Sequence, residues 1–403
     1  MGRNTFLLVL IGFGLRLFLI FPGPFDSKVE FLVNKADLRN YYWPAQVALQ
    51  GENPYVLWST GQSGNFRADM APLELVIYVA ALRVWNDPRA IQVLFAMFDT
   101  FNIALLGLLL QKSILRLPFQ IFYALGPLTL YNLTLVPEDK TIVLTLTFFI
   151  FYLLTIPKAT IWRLGPFEFN ASGLVIPIAA VLASFKWLSV FYLLPLLLWT
   201  SRDIREFAKG ALVFLTVIGL AHLPWFPDWS YVYVFRSQRI ATPLVHIAPA
   251  SLLNAVGFYN ENLMLLASVG SLVLVYLLFW LKRIDIFETL ALSVMVGILG
   301  TPDMDPVHLS LVVIYFLLIV HWTRGIRLAA VWILSALVTA VYAISAHASF
   351  GRIDLAGWHR VTGVYGSPQM ILLSYTLFVL VFAFYLIDKL RGRVVGRPIL
   401  VVE

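Results

Sequence analysis

A single carboxylate next to an acceptor hydroxyl can act as a general base, taking the proton as a new bond forms. The first residue placed for that work is Asp37, in Lys35-Ala36-Asp37-Leu38-Arg39-Asn40-Tyr41, a run leading into Gln50-Gly51-Glu52-Asn53-Pro54-Tyr55. Asp37 also suits the cap of a helix beginning at Leu38, a frequent place for Asp. A second group is Pro137-Glu138-Asp139-Lys140. Adjacent carboxylates can orient a nucleophile or take a divalent metal, and they equally suit the first turn of a helix. A third is basic: Arg236 and Arg239, three apart and followed by His246. Such a pair shares a helix face and can grip a phosphate, or it can form a solvated rim at the lipid headgroups. Arg67 and Lys186 are candidates for the same cluster. In Thr301-Pro302-Asp303-Met304-Asp305-Pro306-Val307-His308, Asp303, Asp305 and His308 are acceptor-site candidates within what also reads as a Pro-bounded turn.

These residues are set in a chain that water would not tolerate. Of 403 residues, 60% are hydrophobic and 13% charged, about half the charge of a soluble domain. Long apolar runs make this a polytopic membrane protein and exclude a soluble enzyme, a nucleic-acid binder or a secreted disulfide scaffold. The chain has no cysteine, which removes disulfides, thiolate nucleophiles and Cys-ligated metals. The formal charge of +7 collects on the inner side as ordinary orientation signal, so no nucleic-acid partner is implied. Arg3 ahead of the apolar run from Thr5 to Phe21, with no small-residue cleavage site, reads as an uncleaved signal anchor.

Spanning helices are expected at 5–21, 90–111, 139–157, 207–226, 262–281, 286–300, 307–322, 328–346 and 369–388. Segments 71–86 and 117–131 can either span or lie at the interface. Residues 173–200 form one long helix or two short ones broken near Lys186. A single straight helix would put Lys186 at mid-bilayer, costing about 2.5–3.5 kcal/mol, and Pro177 and Pro195 also disfavour a straight rod. The favoured topology therefore lays 71–86 on the outer surface and breaks 173–200 at Lys186. It has about 12 spans with both termini inside. Outer segments 22–89, 228–261 and 347–368 are then long, and polar residues collect at the outer rim. That distribution favours chemistry at the outer face over transport through the bundle. Arg16 and Asp99 fall inside spans, about 8 Å and about 14 Å below the outer ends of their helices. An arginine side chain bridges such an offset, and intramembrane charges usually pair, so a structural ion pair is expected.

The order of these features resembles the GT-C superfamily of membrane glycosyltransferases, within it the GPI mannosyltransferase I catalytic subunits and related prokaryotic transferases. The resemblance covers roughly the first 260 residues. It runs through Leu15-Arg16, Asp37 ahead of Gly51, Asn53-Pro54-Tyr55, Ala71-Pro72-Leu73, Asp99, Gly126-Pro127-Leu128, Glu138-Asp139, Lys186, and Arg236 with Arg239. It implies an all-α, GT-C-like bundle with surface helices in the first outer loop. Residues 1–260 would form the catalytic module and 261–403 the C-terminal helices. It also implies Asp37 as the base, Glu138 and Asp139 as support, and the basic residues on donor phosphate. The mannosyltransferase pattern is Asp-x-Asp, whereas this chain has Lys35-Ala36-Asp37. A divalent metal is compatible with the adjacent acids, whereas one that needs both acids of Asp-x-Asp would lack the first.

The expected activity is inverting transfer of a hexose, mannose first, from a polyprenyl- or dolichyl-phosphate donor to a lipid-linked or glycan acceptor. The expected location is the outer face of a plasma membrane, or the endoplasmic reticulum in a eukaryote. Membrane lipids and an accessory subunit are compatible partners. The alternatives are a flippase for a lipid-linked sugar, which predicts a charged mid-membrane path and an internal repeat, and a non-catalytic subunit of the same fold. No repeat is evident, and Asp37 favours an enzyme.

Overall fold

The computed structural model describes residues 2–21, 35–64, 68, 70–126, 129, 130, 134, 138–157, 161–164, 167–225, 260–299, 311, 314, 315 and 318. Two compact units emerge. One comprises Met1–Gln111, Arg116–Gly126 and Leu133–Ala241; the other comprises Lys112–Leu115, Pro127–Asn132 and Thr242–Glu403.

The first unit is built on α1 (Arg3–Ile20) and α5 (Pro88–Leu109). Between them in sequence come α2 (Lys35–Leu49), α3 (Pro54–Ser59) and α4 (Pro72–Val84). After α5 follow α6 (Arg116–Leu125), α7 (Lys140–Thr155), α8 (Val175–Phe185), α9 (Leu193–Thr200) and α10 (Ile204–His222). Local chemistry sets many of the starts. Asn53, Asp87 and Asp203 each accept backbone N–H bonds at the heads of α3, α5 and α10, satisfying donors that a helix leaves orphaned. Pro54, Pro72 and Pro88 stand in first turns, where their missing N–H is not needed.

Helix α5 is the hub: α1, α6, α7, α4 and α2 all pack on it. The buried residues of α1 are Thr5, Leu8, Gly12, Arg16 and Ile20, a stripe at helical spacing. Phe6, Leu7, Leu10, Ile11 and Phe18 of the same helix face outward. Apolar residues outside and a threonine, a glycine and an arginine inside are the reverse of a water-soluble helix. In lipid this is the stable arrangement.

Three described helical segments, Arg3–Ile20, Pro88–Leu109 and Ile204–Trp225, are long and apolar enough to cross a membrane. Of the other expected spans within the described residues, those at 139–157 and 286–300 are shorter. Helix α7, with 16 residues, reaches about 24 Å against a hydrocarbon core of about 30 Å. Helix α4, with 13 residues, reaches about 20 Å, which suits the interfacial placement of 71–86. Segment 117–131 contributes the ten-residue α6. Residues 173–200 are broken as the sequence suggests: α8 ends at Phe185, Lys186 is extended, and a 3-10 turn from Trp187 to Tyr192 leads into α9. Pro177 and Pro195 fall in the first turns of the two pieces, where proline is tolerated.

Two local expectations change. Helix α2 begins at Lys35, not Leu38, so Asp37 lies within its first turn and is not its cap. The expected all-α fold also contains a small antiparallel hairpin, β1 (Ile161–Leu164) and β2 (Phe167–Asn170), with Leu164 opposite Phe167. Ile161, Trp162, Phe167 and Phe169 are of the branched and aromatic types that favour strands.

In the second unit α11 (Glu261–Trp280) packs on α12 (Ile286–Leu299). Asp285 and Glu288 cap each other's backbone N–H at the head of α12, at 2.8 and 2.9 Å. The expected spans 307–322, 328–346 and 369–388 lie wholly or mostly outside the described residues.

Candidate functional site

Two polar clusters are buried in the first unit. The deeper one holds α1, α5, α6 and α7 together. Arg16 is fully buried and its Nε pairs with Asp99 Oδ2. Its remaining donors reach the carbonyls of Gly12 at 2.9 Å, Ala124 at 3.0 Å and Tyr123 at 3.4 Å. Tyr123 donates to the second Asp99 oxygen at 2.6 Å and accepts from Asn102 Nδ2 at 3.0 Å. Asn102 also donates to the Thr141 carbonyl at 3.0 Å. Below this, Gln120 ties Thr5 to the Ile103 carbonyl. Four of the five guanidinium N–H groups thus have partners, and the cluster is sealed by its own bonds. It presents no exposed group to a ligand, so its role is to fix helix positions.

The second cluster is built where α2, α4, the head of α7 and the end of α8 meet. Glu138 and Asp139 precede α7 and Lys140 is its first residue. The Lys140 ammonium bridges both acids, at 2.7 Å to Glu138 Oε2 and 2.7 Å to Asp139 Oδ1. The other Asp139 oxygen pairs with Lys186, which the break after α8 delivers from 47 residues away. Asp139 makes no side-chain capping bond to α7; its carboxylate is spent on lysines. Tyr41 of α2 donates to Glu138 Oε2 at 3.2 Å. A chain of contacts therefore runs Tyr41, Glu138, Lys140, Asp139, Lys186.

Glu74 of α4 joins this cluster electrostatically. It is fully buried, accepts the Tyr78 hydroxyl at 2.7 Å, and accepts the Ala71 N–H at 3.3 Å in the reciprocal half of a helix cap. Burial pushes its carboxyl up to about 8, opposed by the charge of Lys186 and reinforced by that of Asp139. Burial works to lower the Lys186 ammonium, but the charges of Asp139 and Glu74 overcome it and raise that group. The rings of Tyr41, Tyr78 and Phe95 pack with centroids 5.3 to 5.7 Å apart, locking α2 and α4 against α5. Lys186, 24% exposed, is the most open of the ion-paired side chains here; those of Glu138, Asp139 and Lys140 are 0–7% exposed.

The structure thus brings together Glu138, Asp139 and Lys186 from the sequence candidates, and separately pairs Arg16 with Asp99. Asp37 stands one helical turn before Tyr41 in α2. Arg67, Arg236, Arg239, Asp303, Asp305 and His308 lie outside the described residues. Sequence reading missed Glu74, Lys140 and the tyrosine hydroxyls. Their signals were present: one acid inside the apolar run of α4, four residues before a tyrosine, and one lysine heading the apolar α7. The acids do not fit a divalent metal, because ammonium groups already neutralise Asp139 and Glu138. Among the described residues no group of three or more acid or imidazole side chains is arranged to hold an ion.

Chemically, a lysine held at the edge of a buried acid cluster presents a fixed positive charge to an anion. No family model matches the chain, and no curated protein matches it.

Proposed function

We propose that the chain is an inverting membrane glycosyltransferase of the GT-C type, with about 12 spans. It transfers a hexose, mannose in the first instance, from a polyprenyl-phosphate donor to a lipid-linked or glycan acceptor at the outer membrane face. The observation that carries this reading is the tether between Tyr41 and Glu138. It ties the helix bearing Asp37 to the same cluster that holds Lys186.

In this reading Asp37 accepts the proton of the acceptor hydroxyl as that oxygen attacks the anomeric carbon. The bond from that carbon to the phosphate oxygen breaks, and polyprenyl phosphate leaves with its negative charge. Lys186 stabilises that charge, joined by Arg67, Arg236 and Arg239. Glu138, Asp139 and Lys140 hold Lys186 in place. Asp303, Asp305 and His308 serve the acceptor side.

The flippase reading requires charges lining a path through the membrane. The described intramembrane charges, Arg16 and Asp99, are instead paired and sealed. The test is transfer by the purified chain from a panel of polyprenyl-phosphate hexoses and, as controls, nucleotide sugars. Transfer from a lipid-phosphate donor alone supports the reading. Transfer from nucleotide sugars alone, or movement of intact donor between leaflets without transfer, contradicts it.

A further inference from the structure

Helix α5, at 22 residues, is about 33 Å long and matches the hydrocarbon core of a membrane. At its head Arg89 lies over the rings of Phe21 and Trp85, an aromatic rim of the kind found where a membrane meets water. Its other end is where α1 and α6 begin. A Cβ added at Gly107 of α5 would meet both Gln120 and Thr5, and Thr5 donates to Gln120 at 3.1 Å. Arg3 precedes Thr5 by two residues and Arg116 precedes Gln120 by four. Both therefore stand within about 6 Å beyond this junction along their helices, at the opposite membrane surface. A Cβ added at Gly2 would lie 3.6 Å from Arg116 Nη2, so that guanidinium rests against the start of α1.

The side chains of Arg3 and Arg116 make no hydrogen bond or ion pair among the described residues. No acid occurs in residues 1–25 or 100–137, so α1, α6 and the end of α5 supply no counter-charge. Arg89, at the far end of α5, is by contrast held by both oxygens of Asp87, at 2.9 and 2.7 Å. Beside the two arginines, toward the membrane interior, Phe6 and Leu7 of α1 and Leu117 and Ile121 of α6 are exposed. We infer that Arg3 and Arg116 form a headgroup site for an anionic phospholipid, whose phosphate takes the two guanidinium groups and whose acyl chain runs along Leu117 and Ile121. Arginines offer forked donors that match phosphate oxygens. The apolar strip suits a lipid and would be idle with a free phosphate. With the N-terminus inside, as the sequence favours, the site faces the cytoplasmic leaflet, where anionic lipids collect and basic pockets between helices bind their headgroups. It is separate from the donor-phosphate reading of Lys186.

The chain has no cysteine, so a bimane fluorophore on Ile121→Cys reports on this site alone. The test is its quenching in the full chain, reconstituted into phosphatidylcholine vesicles. A minor fraction of phosphatidylglycerol carries brominated chains, or in the control the same fraction of phosphatidylcholine does. An arginine at a charged surface contributes about fivefold, so brominated phosphatidylglycerol should associate about 25-fold more strongly than brominated phosphatidylcholine. Arg3→Gln and Arg116→Gln should each leave about a fivefold preference, and the double variant none. Lysine at both positions keeps the charge and should retain most of the preference. Arg89→Gln, at the other end of α5, should leave it unchanged. A wild type without the preference, a preference undiminished in the Arg3 and Arg116 variants, or one lost equally in Arg89→Gln overturns the inference. Displacement of the brominated lipid by millimolar inorganic phosphate would assign the site to free phosphate and overturn it too. If the double variant does not fold, the two single variants decide the outcome.

Discussion

Replacing Asp99 with Asn removes the only acidic partner, among the described residues, of an arginine that has no exposed surface. Three carbonyl contacts to Arg16 remain, but no opposing charge does. Breaking a buried pair from one side costs about 3–5 kcal/mol. Removing both charges, as in Arg16→Met with Asp99→Leu, leaves no buried charge; the Tyr123 hydroxyl and the carbonyls that Arg16 served each lose one partner, about 1–3 kcal/mol for a neutral group left unsatisfied. The double variant should therefore be more stable than either Asp99→Asn or Arg16→Met alone. The check is a double-mutant cycle on thermal denaturation in detergent, with membrane expression recorded alongside. Asp99→Asn should lower expression more than it lowers donor affinity, because the pair fixes helices and touches no ligand. A double variant that loses as much as the two single changes together would refute the paired-charge account. So would a single variant within about 0.5 kcal/mol of wild type.

The Glu74 carboxyl is raised from an ordinary 4.5 to about 8, so its contribution to stability is complete below about 4.5 and lost as pH rises through about 8. The wild-type melting temperature should therefore decline more steeply over that window than that of Glu74→Gln. Equal slopes in a pH series would refute this. Lys140→Met removes the ammonium that bridges buried Glu138 and Asp139, and should destabilise the chain by about 3–5 kcal/mol in the same melting assay. At Gly107 an added Cβ would come 2.5 Å from Gln120 Nε2 and 2.8 Å from Thr5 Cγ2. Gly107→Ala should thus disturb the α1, α5 and α6 junction by about 1–3 kcal/mol, seen as a lower melting temperature.

The elements that the sequence makes legible are those whose cause is local. The apolar runs at Thr5–Phe21 and 90–111 become α1 and α5, because length and composition alone make such helices. The break at Lys186 was readable from a charge too costly for mid-bilayer and two prolines. The juxtaposition of Arg16 and Asp99 was readable because helical rise converts sequence offset into depth. The second cluster was only half readable. Glu138 and Asp139 stand out as adjacent acids, yet nothing local says that their partners are Lys140 and Lys186 and that Glu74 lies beside them. Lys186 and Asp139 are 47 residues apart, and only the packing of α8 on α4 and α7 brings them together. The start of α2 was misplaced by three residues because Asp37 resembles a cap, while the helix extends back to Lys35. The short hairpin at 161–170 is too brief for its alternation to stand out between two apolar helices.

The central claim is that this chain moves a sugar from a lipid phosphate and that Asp37 takes the acceptor's proton. The most direct measurement is transfer of radiolabelled mannose from a polyprenyl-phosphate donor into membrane lipid or glycan, with wild type and Asp37→Asn compared at equal amounts of folded protein. Transfer by the wild type that falls at least about a hundredfold in Asp37→Asn is the predicted result. Transfer undiminished by the substitution, or none from the wild type with any lipid-phosphate hexose, would contradict it.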